Sequence, residues 1–302
     1  MRKILLTGKN GQVGWELRRT LAPLGDVVAV GHQEMDLADP DSVRSMIREV
    51  RPHLIVNAGA YTAVDKAESE PNLAMAINGV APGIMAEEAK RLNAALIHYS
   101  TDYVFDGTKK LPYVEDDTPN PLNIYGQTKL AGERAIQATG VPHLILRTSW
   151  VYGARGKNFL LTILRLARER SELKIVDDQI GAPTWCRMLA EVTSQMLSQH
   201  YPSVTRPPSI ADISGLYHVV CGGHTSWYGL AREILEVVSG HASHAMPVLK
   251  PIPTIEYPTP AKRPLNSRLS TEKLKRMCGL VVPAWEESLI LCMNETESIS
   301  VV

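Results

Sequence analysis

Residues 3–14 read KILLTGKNGQVG, a short apolar run that breaks into glycines and then into a stretch with helical spacing. Thr7, Gly8, Gly11 and Gly14 make the pattern TGxxGxxG, and its place between a strand and a helix gives it meaning. Glycine there allows a tight turn and lets backbone come close to a pyrophosphate, which then rests on the exposed N–H groups of the helix start. The loop therefore predicts a dinucleotide-binding strand–helix–strand unit, with Gly8, Gly11, Gln12, Val13 and Gly14 as candidate cofactor contacts.

The chain around the loop supports that expectation. KILLTG (3–8), DVVAVG (26–31), HLIVNAG (53–59), ALIHYS (95–100) and HLILRTS (143–149) suit strands buried on both faces. Helix-like stretches separate them: QVGWELRRTLAPL, DPDSVRSMIREVRP and PNLAMAINGVAPGIMAEEAKRLN. Strand and helix in turn require crossovers, so the fold class expected is α/β, a Rossmann-like doubly wound parallel sheet. Later residues mix helices near 157–170, 186–199, 227–238 and 283–294 with strand candidates LKIVDD and LYHVV. The proline-dense HAMPVLKPIPTIEYPTPAKRP is compatible with neither a helix nor a central strand. The expected organisation is a nucleotide-binding core over 1–150, completed by parts of 170–240. The remaining segments of 151–302 form a smaller C-terminal substrate-binding lobe.

Charge narrows the partners. Thirty-two basic side chains balance 32 acidic ones over 302 residues, so the field of the whole chain favours neither nucleic acid nor an anionic membrane. A small-molecule ligand is expected instead. Cys186, Cys221, Cys278 and Cys292 form no CxxC pair, which argues against a disulfide framework and a thiolate metal site, and for a reducing cytoplasm. The N-terminal apolar run, Ile4 to Leu6, is too short for a signal peptide or a membrane span.

An acidic residue after the second strand would bond a ribose 2′-hydroxyl, and a basic one would favour a 2′-phosphate. Gly31, His32, Gln33 and Glu34 stand there and leave the choice between NADPH and NADH open. Asp39, in MDLADP, is expected to cap the next helix.

The chemistry-bearing stretch is IYGQTKLAGE (124–133), with Tyr125 and Lys129 one helical turn apart. Four residues advance about 6 Å and return to the same helix face. Free tyrosine ionises near pH ~10. A cation about 4–5 Å away, at an effective dielectric of about 20, favours the phenolate by roughly 4 kcal/mol. The expectation is a tyrosine acidic enough to act near neutrality. The fourth strand ends in HYSTDYVFDG, which puts Thr101 and Asp102 at the edge of the sheet where such folds bind ligands. A hydroxyl to bond a carbonyl oxygen, a tyrosine to protonate it and a lysine beside the tyrosine form a carbonyl-reducing set when nicotinamide supplies hydride.

Together these features resemble the extended short-chain dehydrogenase/reductase superfamily. Within it, VNAGAYTAVDKAESEP, HYSTDYVFDG, NIYGQTKLAGE, LRTSWVYG, DDQIGAPT and YPTPAKRPLNSRLSTEKL resemble the dTDP-4-dehydrorhamnose reductase family over nearly the whole chain. The resemblance implies reduction of the 4-keto group of a dTDP-deoxysugar, the last step of dTDP-L-rhamnose synthesis, by a monomer or homodimer. It implies Tyr125 as proton donor, Lys129 on the nicotinamide ribose and Thr101 on the sugar oxygen. Asp102 and Trp150 would touch the sugar and Arg263 the diphosphate. Gly11 to Val13, Asp36, Leu37, Ala60, Tyr61, Thr62 and Tyr99 would lie along the cofactor. Asp65, Lys66 and Glu68 are read as a solvated helix face. Some family members hold Mg2+ between glutamates at a dimer interface; Glu16 and Glu295 fall at matching places, but the third position is Arg187, whose cation opposes a divalent ion.

Two other readings stay open. A sugar-nucleotide dehydratase or epimerase would share the fold, although a dehydratase needs a further acid next to the threonine and Asp102 is followed here by Tyr103. A non-catalytic regulatory subunit, as found beside methionine adenosyltransferase, would have no need of Thr101, Tyr125 and Lys129.

Overall fold

In the computed structural model, which describes residues 2–200, 210–239 and 246–300, the chain builds the alternation expected from its sequence. Strands β1 (Lys3–Thr7), β2 (Asp26–Val30), β3 (Leu54–Asn57), β4 (Ala95–Thr101) and β5 (His143–Thr148) are followed by the short β6 (Val151–Tyr152), β7 (Glu172–Val176), β8 (Ile180–Gly181) and β9 (Thr184–Trp185). Three more complete the set: β10 (Gly215–His218), β11 (Thr225–Ser226) and β12 (Val248–Ile252). The main sheet has the order β10-β5-β4-β3-β1-β2, and every pairing in it is parallel. The strand order reverses at β1, between β2 and β3, which opens a ligand crevice at the C-terminal ends of β1 and β3.

Helices α1 (Gln12–Thr20), α2 (Pro40–Val50), α3 (Val64–Ala67), α4 (Pro71–Met75), α5 (Ala81–Arg91) and α6 (Ile124–Thr139) belong to the crossovers of the first half. They are joined by α7 (Phe159–Glu169), α8 (Cys186–His200), α9 (Trp227–Ser239), α10 (Glu272–Cys278) and α11 (Trp285–Ser300). Successive strand residues feed opposite cores, as a doubly covered sheet demands. Ile4, Leu6 and Val56 pack with Leu17 of α1 and Leu189 and Met196 of α8. Leu5, Ile55 and Leu96 pack on the other face with Ile47 of α2, Met85 of α5 and Ile136 of α6. Asp39 caps α2 by accepting from the Asp41 N–H at 2.9 Å, as its position suggested.

Between α4 and α5 the helix widens into one π turn, Ala76–Val80. Pro82 has no N–H for the carbonyl of Asn78, and Gly132 of α6 packs close against that carbonyl. The wide turn aims the buried Asn78 side chain at Tyr61, whose N–H it accepts at 2.9 Å and whose carbonyl it donates to at 3.0 Å. The proline-dense segment supplies β12, which pairs in parallel only with β7, a two-stranded setting that tolerates Pro251.

His218 of β10 is fully buried, and burial, helped by the nearby Arg147 charge, pushes its imidazole down to about 3. His98 is held well below its usual value by burial and then by Lys129. Both are neutral in the fold and cationic in the unfolded chain at mild acid, so their contribution is present above pH ~6.5 and lost as pH falls toward ~3. Asp102, raised to about 6 by burial, opposes one of them below that pH. Unfolding free energy is expected to drop as pH goes from 7.5 to 5, and His218→Phe to flatten that slope by up to about 1.4 kcal/mol per pH unit in urea titrations.

Candidate active site

The crevice begins at the glycine loop. Gly8 has φ +71°, and the Gly11 N–H donates to its carbonyl at 2.9 Å. A Cβ at position 14 would fall 2.0 Å from that same carbonyl oxygen, so only glycine lets α1 start this close to the turn. Gly11 is the N-cap, and no side chain caps α1. The positive end of a nine-residue helix thus stands at the strand edge, which fits a pyrophosphate. Gln12 accepts from Asn158 Nδ2 at 2.8 Å, joining the loop to the approach to α7.

Glu34 at the tip of β2 accepts from the Gly31 N–H at 2.8 Å and from Lys9 Nζ at 2.5 Å, and these bonds hold its carboxyl below the usual range. Asp36 accepts from the Ala38 N–H at 2.9 Å, and Leu37 packs on Gly59. Ala60 and Tyr61 are half-buried and Thr62 is exposed. The Tyr61 hydroxyl donates to Glu70 at 2.7 Å. Tyr99 meets the site through its backbone. Its ring is buried in the core with its hydroxyl 2.6 Å from Thr193 Oγ1 of α8, and only its backbone carbonyl reaches the site, because β4 is covered on both faces.

The helix carrying Tyr125 is fixed by Asn123, whose side chain accepts from the Gly126 N–H at 2.8 Å and donates to the Lys262 carbonyl at 2.8 Å. Gly126 again has no room for a Cβ, which would lie 2.1 Å from the Tyr103 carbonyl oxygen. That closeness brings Tyr125 onto the end of β4. Its hydroxyl faces the Thr101 side chain, and its ring meets Tyr103 edge to face at 6.0 Å. Thr101 donates onward to Asp102 Oδ1 at 2.9 Å and accepts from the Tyr103 N–H at 3.1 Å. Asp102 is 3% exposed and its Oδ2 has no hydrogen-bond partner, so burial raises its carboxyl to about 6. Tyr125, Thr101 and Asp102 thus stand together at the end of β4.

Lys129 was expected to acidify the tyrosine, and in this structure burial is what dominates the phenol. Burial pushes Tyr125 up to about 12, with the Thr101 side chain acting in the opposite direction. The ammonium turns into the sheet instead, donating to the Tyr99 carbonyl at 2.5 Å and lying 3.2 Å from His98 Nε2, and its own burial lowers it to about 8. Helical spacing put both residues on one face but could not say which way a four-carbon stem would bend.

Other candidates are held by protein partners. Arg263, expected on a diphosphate, makes a bidentate pair with Asp65 at 3.0 and 2.7 Å and bonds Thr259 at 2.5 Å and the Ala261 carbonyl at 3.0 Å. Two acceptors in a plane match the guanidinium fork, so Asp65 is a buttress of this loop and not part of a solvated face. Glu68 likewise accepts from the Ile124 N–H at 2.8 Å, capping α6, while Lys66 pairs with Glu70 at 2.7 Å. Trp150 has φ +47°, a strained conformation for a bulky residue, and its ring stacks on Trp227 at 3.6 Å. Trp227 and Gln179, which bond each other at 3.2 Å, escaped the sequence reading. The dipeptide SW opening a helix was the one signal for Trp227.

Glu16, Arg187 and Glu295 do meet, around a cavity of about 280 Å³ also lined by Gln12, Trp15 and Arg155. Arg187 donates to Glu16 at 3.0 and 3.3 Å and to Glu295. The guanidinium occupies the space between the two carboxylates, so this donor set does not fit a divalent cation. EDTA and Mg2+ are expected to leave thermal stability unchanged. Arg187→Glu should instead make the melting temperature rise with added Mg2+.

A parallel doubly wound sheet, a glycine loop at its switch point and a Thr–Tyr–Lys set at the next strand edge define a short-chain dehydrogenase/reductase of the Rossmann type. The model of the RmlD substrate binding domain matches residues 1–298. The dTDP-4-dehydrorhamnose reductase of Burkholderia thailandensis is 49% identical over 296 residues, covering 97% of this chain and 98% of that one. The reductase of Escherichia coli K12 is 47% identical, with 97% of each chain covered. Among solved structures, the Bacillus anthracis dTDP-4-dehydrorhamnose reductase in complex with NADP superposes with a TM-score of 0.88 at 34% identity, covering 98% of this chain and 100% of that one. The chain belongs to the dTDP-4-dehydrorhamnose reductase family.

Proposed function

We propose that the protein reduces the 4-keto group of dTDP-4-dehydro-β-L-rhamnose to dTDP-β-L-rhamnose. This would be the final cytoplasmic step that supplies rhamnose to lipopolysaccharide or another surface polysaccharide. The observation that carries this reading is the placing of Tyr125 beside Thr101 at the edge of β4, where Thr101 donates to Asp102, with Lys129 one turn along α6.

NADPH or NADH, held by the loop of Gly8, Gly11 and Gly14, would supply a hydride to the carbonyl carbon. Tyr125 then does the work of a general acid. With its phenol raised to about 12 it holds its proton through binding and releases it only as the carbonyl oxygen becomes an alkoxide, a far stronger base. Thr101, which donates its one hydroxyl proton to Asp102 here, would turn that proton to the same oxygen when substrate binds. The buried Lys129 ammonium would give the pocket a positive charge beside the nicotinamide ribose. Glu34, neutralised by Lys9, presents no free carboxylate at the tip of β2, which favours NADPH over NADH.

The identity of relatives over the full chain supports the substrate, and retention of Thr101, Tyr125 and Lys129 together argues against a non-catalytic subunit. Purified protein mixed with enzymatically made dTDP-4-dehydro-L-rhamnose is expected to consume reduced nicotinamide, faster with NADPH than NADH. No consumption with either cofactor while the dTDP-sugar still binds would move the assignment to a regulatory or epimerase-like role.

A further inference from the structure

Lys129 does not sit alone. Thr7, Asn57, His98 and Lys129, at 1, 1, 1 and 2% exposure, form a continuous buried polar row across β1, β3, β4 and α6. Strand register explains it: Thr7 stands beside Asn57 and Asn57 beside His98 on three adjacent strands. Thr7 Oγ1 lies 2.7 Å from Asn57 Oδ1 and accepts from the Gly59 N–H at 3.1 Å, Asn57 Nδ2 lies 3.0 Å from His98 Nδ1, and His98 Nε2 lies 3.2 Å from Lys129 Nζ. The row joins the end of the glycine-loop strand to the lysine of the active site.

We propose that His98 is a positioning residue for Lys129, a neutral imidazole whose proton sits on Nδ1 so that bare Nε2 accepts from the lysine ammonium. The inference rests on the reductase reading for the role of Lys129, but its geometry does not. Two cations 3.2 Å apart without water cannot coexist, so the imidazole is neutral and offers one donor and one acceptor. Were the proton on Nε2, an N–H would face an ammonium. With the proton on Nδ1 the polarity is consistent, provided that the Asn57 carboxamide turns its oxygen to His98 and its NH2 to Thr7. A half-turn of that amide exchanges the two atoms with little change in shape, so its orientation follows the charge on Lys129: oxygen toward His98 for the ammonium, nitrogen for the neutral amine.

Burial, partly offset by Glu133, depresses Lys129 to about 8, close enough to neutrality that an acceptor matters. The charged groups around it are few. Glu133 lies one turn along α6 and favours the ammonium. It is itself held by Arg147 of β5 at 2.6 and 2.9 Å and by Ser100 of β4 at 2.5 Å. Tyr125 and Asp102 face the same pocket from α6 and the end of β4. His98 is the group that touches the ammonium as an acceptor through a side chain.

The test has two arms. Nitrogen-15 NMR of the unmodified chain saturated with NADP reads the tautomer directly: a proton on Nδ1 is expected, and a proton on Nε2 or a doubly protonated ring overturns the proposal. In the second arm, His98→Phe removes the acceptor and His98→Gln can restore it through a carboxamide oxygen. Because Lys129 must be charged, activity declines as pH rises through its pKa. His98→Phe should move that alkaline limb down by about one pH unit or more, the effect of losing a hydrogen bond to a charged group, and raise the KM for NADPH. His98→Gln should return both toward the parent. An unmoved limb in a folded His98→Phe protein overturns the proposal, and if that variant does not fold the tautomer decides. A chain that fails to reduce the keto-sugar would refute the reductase reading and leave the tautomer result standing.

Discussion

Tyr125→Phe is expected to lower kcat by about 10²- to 10⁴-fold, the range that a positioned general acid contributes. The affinity for NADPH should stay near that of the parent. Only the hydroxyl leaves, and the ring keeps its edge-to-face contact with Tyr103. In the proposed mechanism the hydroxyl, which faces Thr101, is the group that meets substrate. Steady-state rates with NADPH and the keto-sugar, beside a cofactor titration by fluorescence, measure the two quantities separately. Lys129→Ala should lose both, since it empties a buried cationic position beside the cofactor. A phenylalanine variant that turns over at the parent rate would show that another acid, with Asp102 the nearest, protonates the product.

The second large effect concerns stability. Glu133 and Arg147 form an ion pair at 2% and 3% side-chain exposure, behind the active site between α6 and β5. Glu133→Ala should cost about 3–5 kcal/mol, because it leaves a buried guanidinium without its anion. Ser100, which donates to Glu133 at 2.5 Å, loses its partner in the same step. Replacing both charges, as in Glu133→Leu with Arg147→Met, should recover much of that loss, since no charge is then stranded. Urea unfolding of the two single variants and the double variant gives the comparison. Equal losses in Glu133→Ala and in the double variant would mean that packing, not charge, holds this region.

The fold was legible because its signals are local and periodic. Five apolar runs separated by helical stretches predict a parallel sheet, and β1 to β5 fall within a residue or two of those runs. The loop of Gly8, Gly11 and Gly14 could be placed for the same reason, since its meaning depends on neighbours within a few residues. Tyr125, Lys129 and Thr101 were legible as a set through helical spacing and the position of a strand end. What the side chains touch was not. Arg263 pairs with Asp65 across 198 residues of chain, and Trp150 lies on Trp227. No pattern in either segment announces those contacts. His98 was invisible for a different reason: in an all-buried strand a histidine reads as one more interior residue until its partners on β3 and α6 are known.

The amino-acid order by itself thus determined the doubly wound sheet, the glycine turn and the presence of a tyrosine and lysine on one helix face, because each follows from backbone sterics, hydrophobic period or helix pitch acting over a few residues. The tertiary structure alone decided the charge states and directions. Tyr125 keeps its proton because burial pushes its phenol up, Lys129 faces His98 because α6 lies across β4, and Arg187 lies between Glu16 and Glu295 because α1, α8 and α11 converge there. Those outcomes depend on solvent exclusion and on distances between residues far apart in the chain, which exist only once the sheet and its helices have packed.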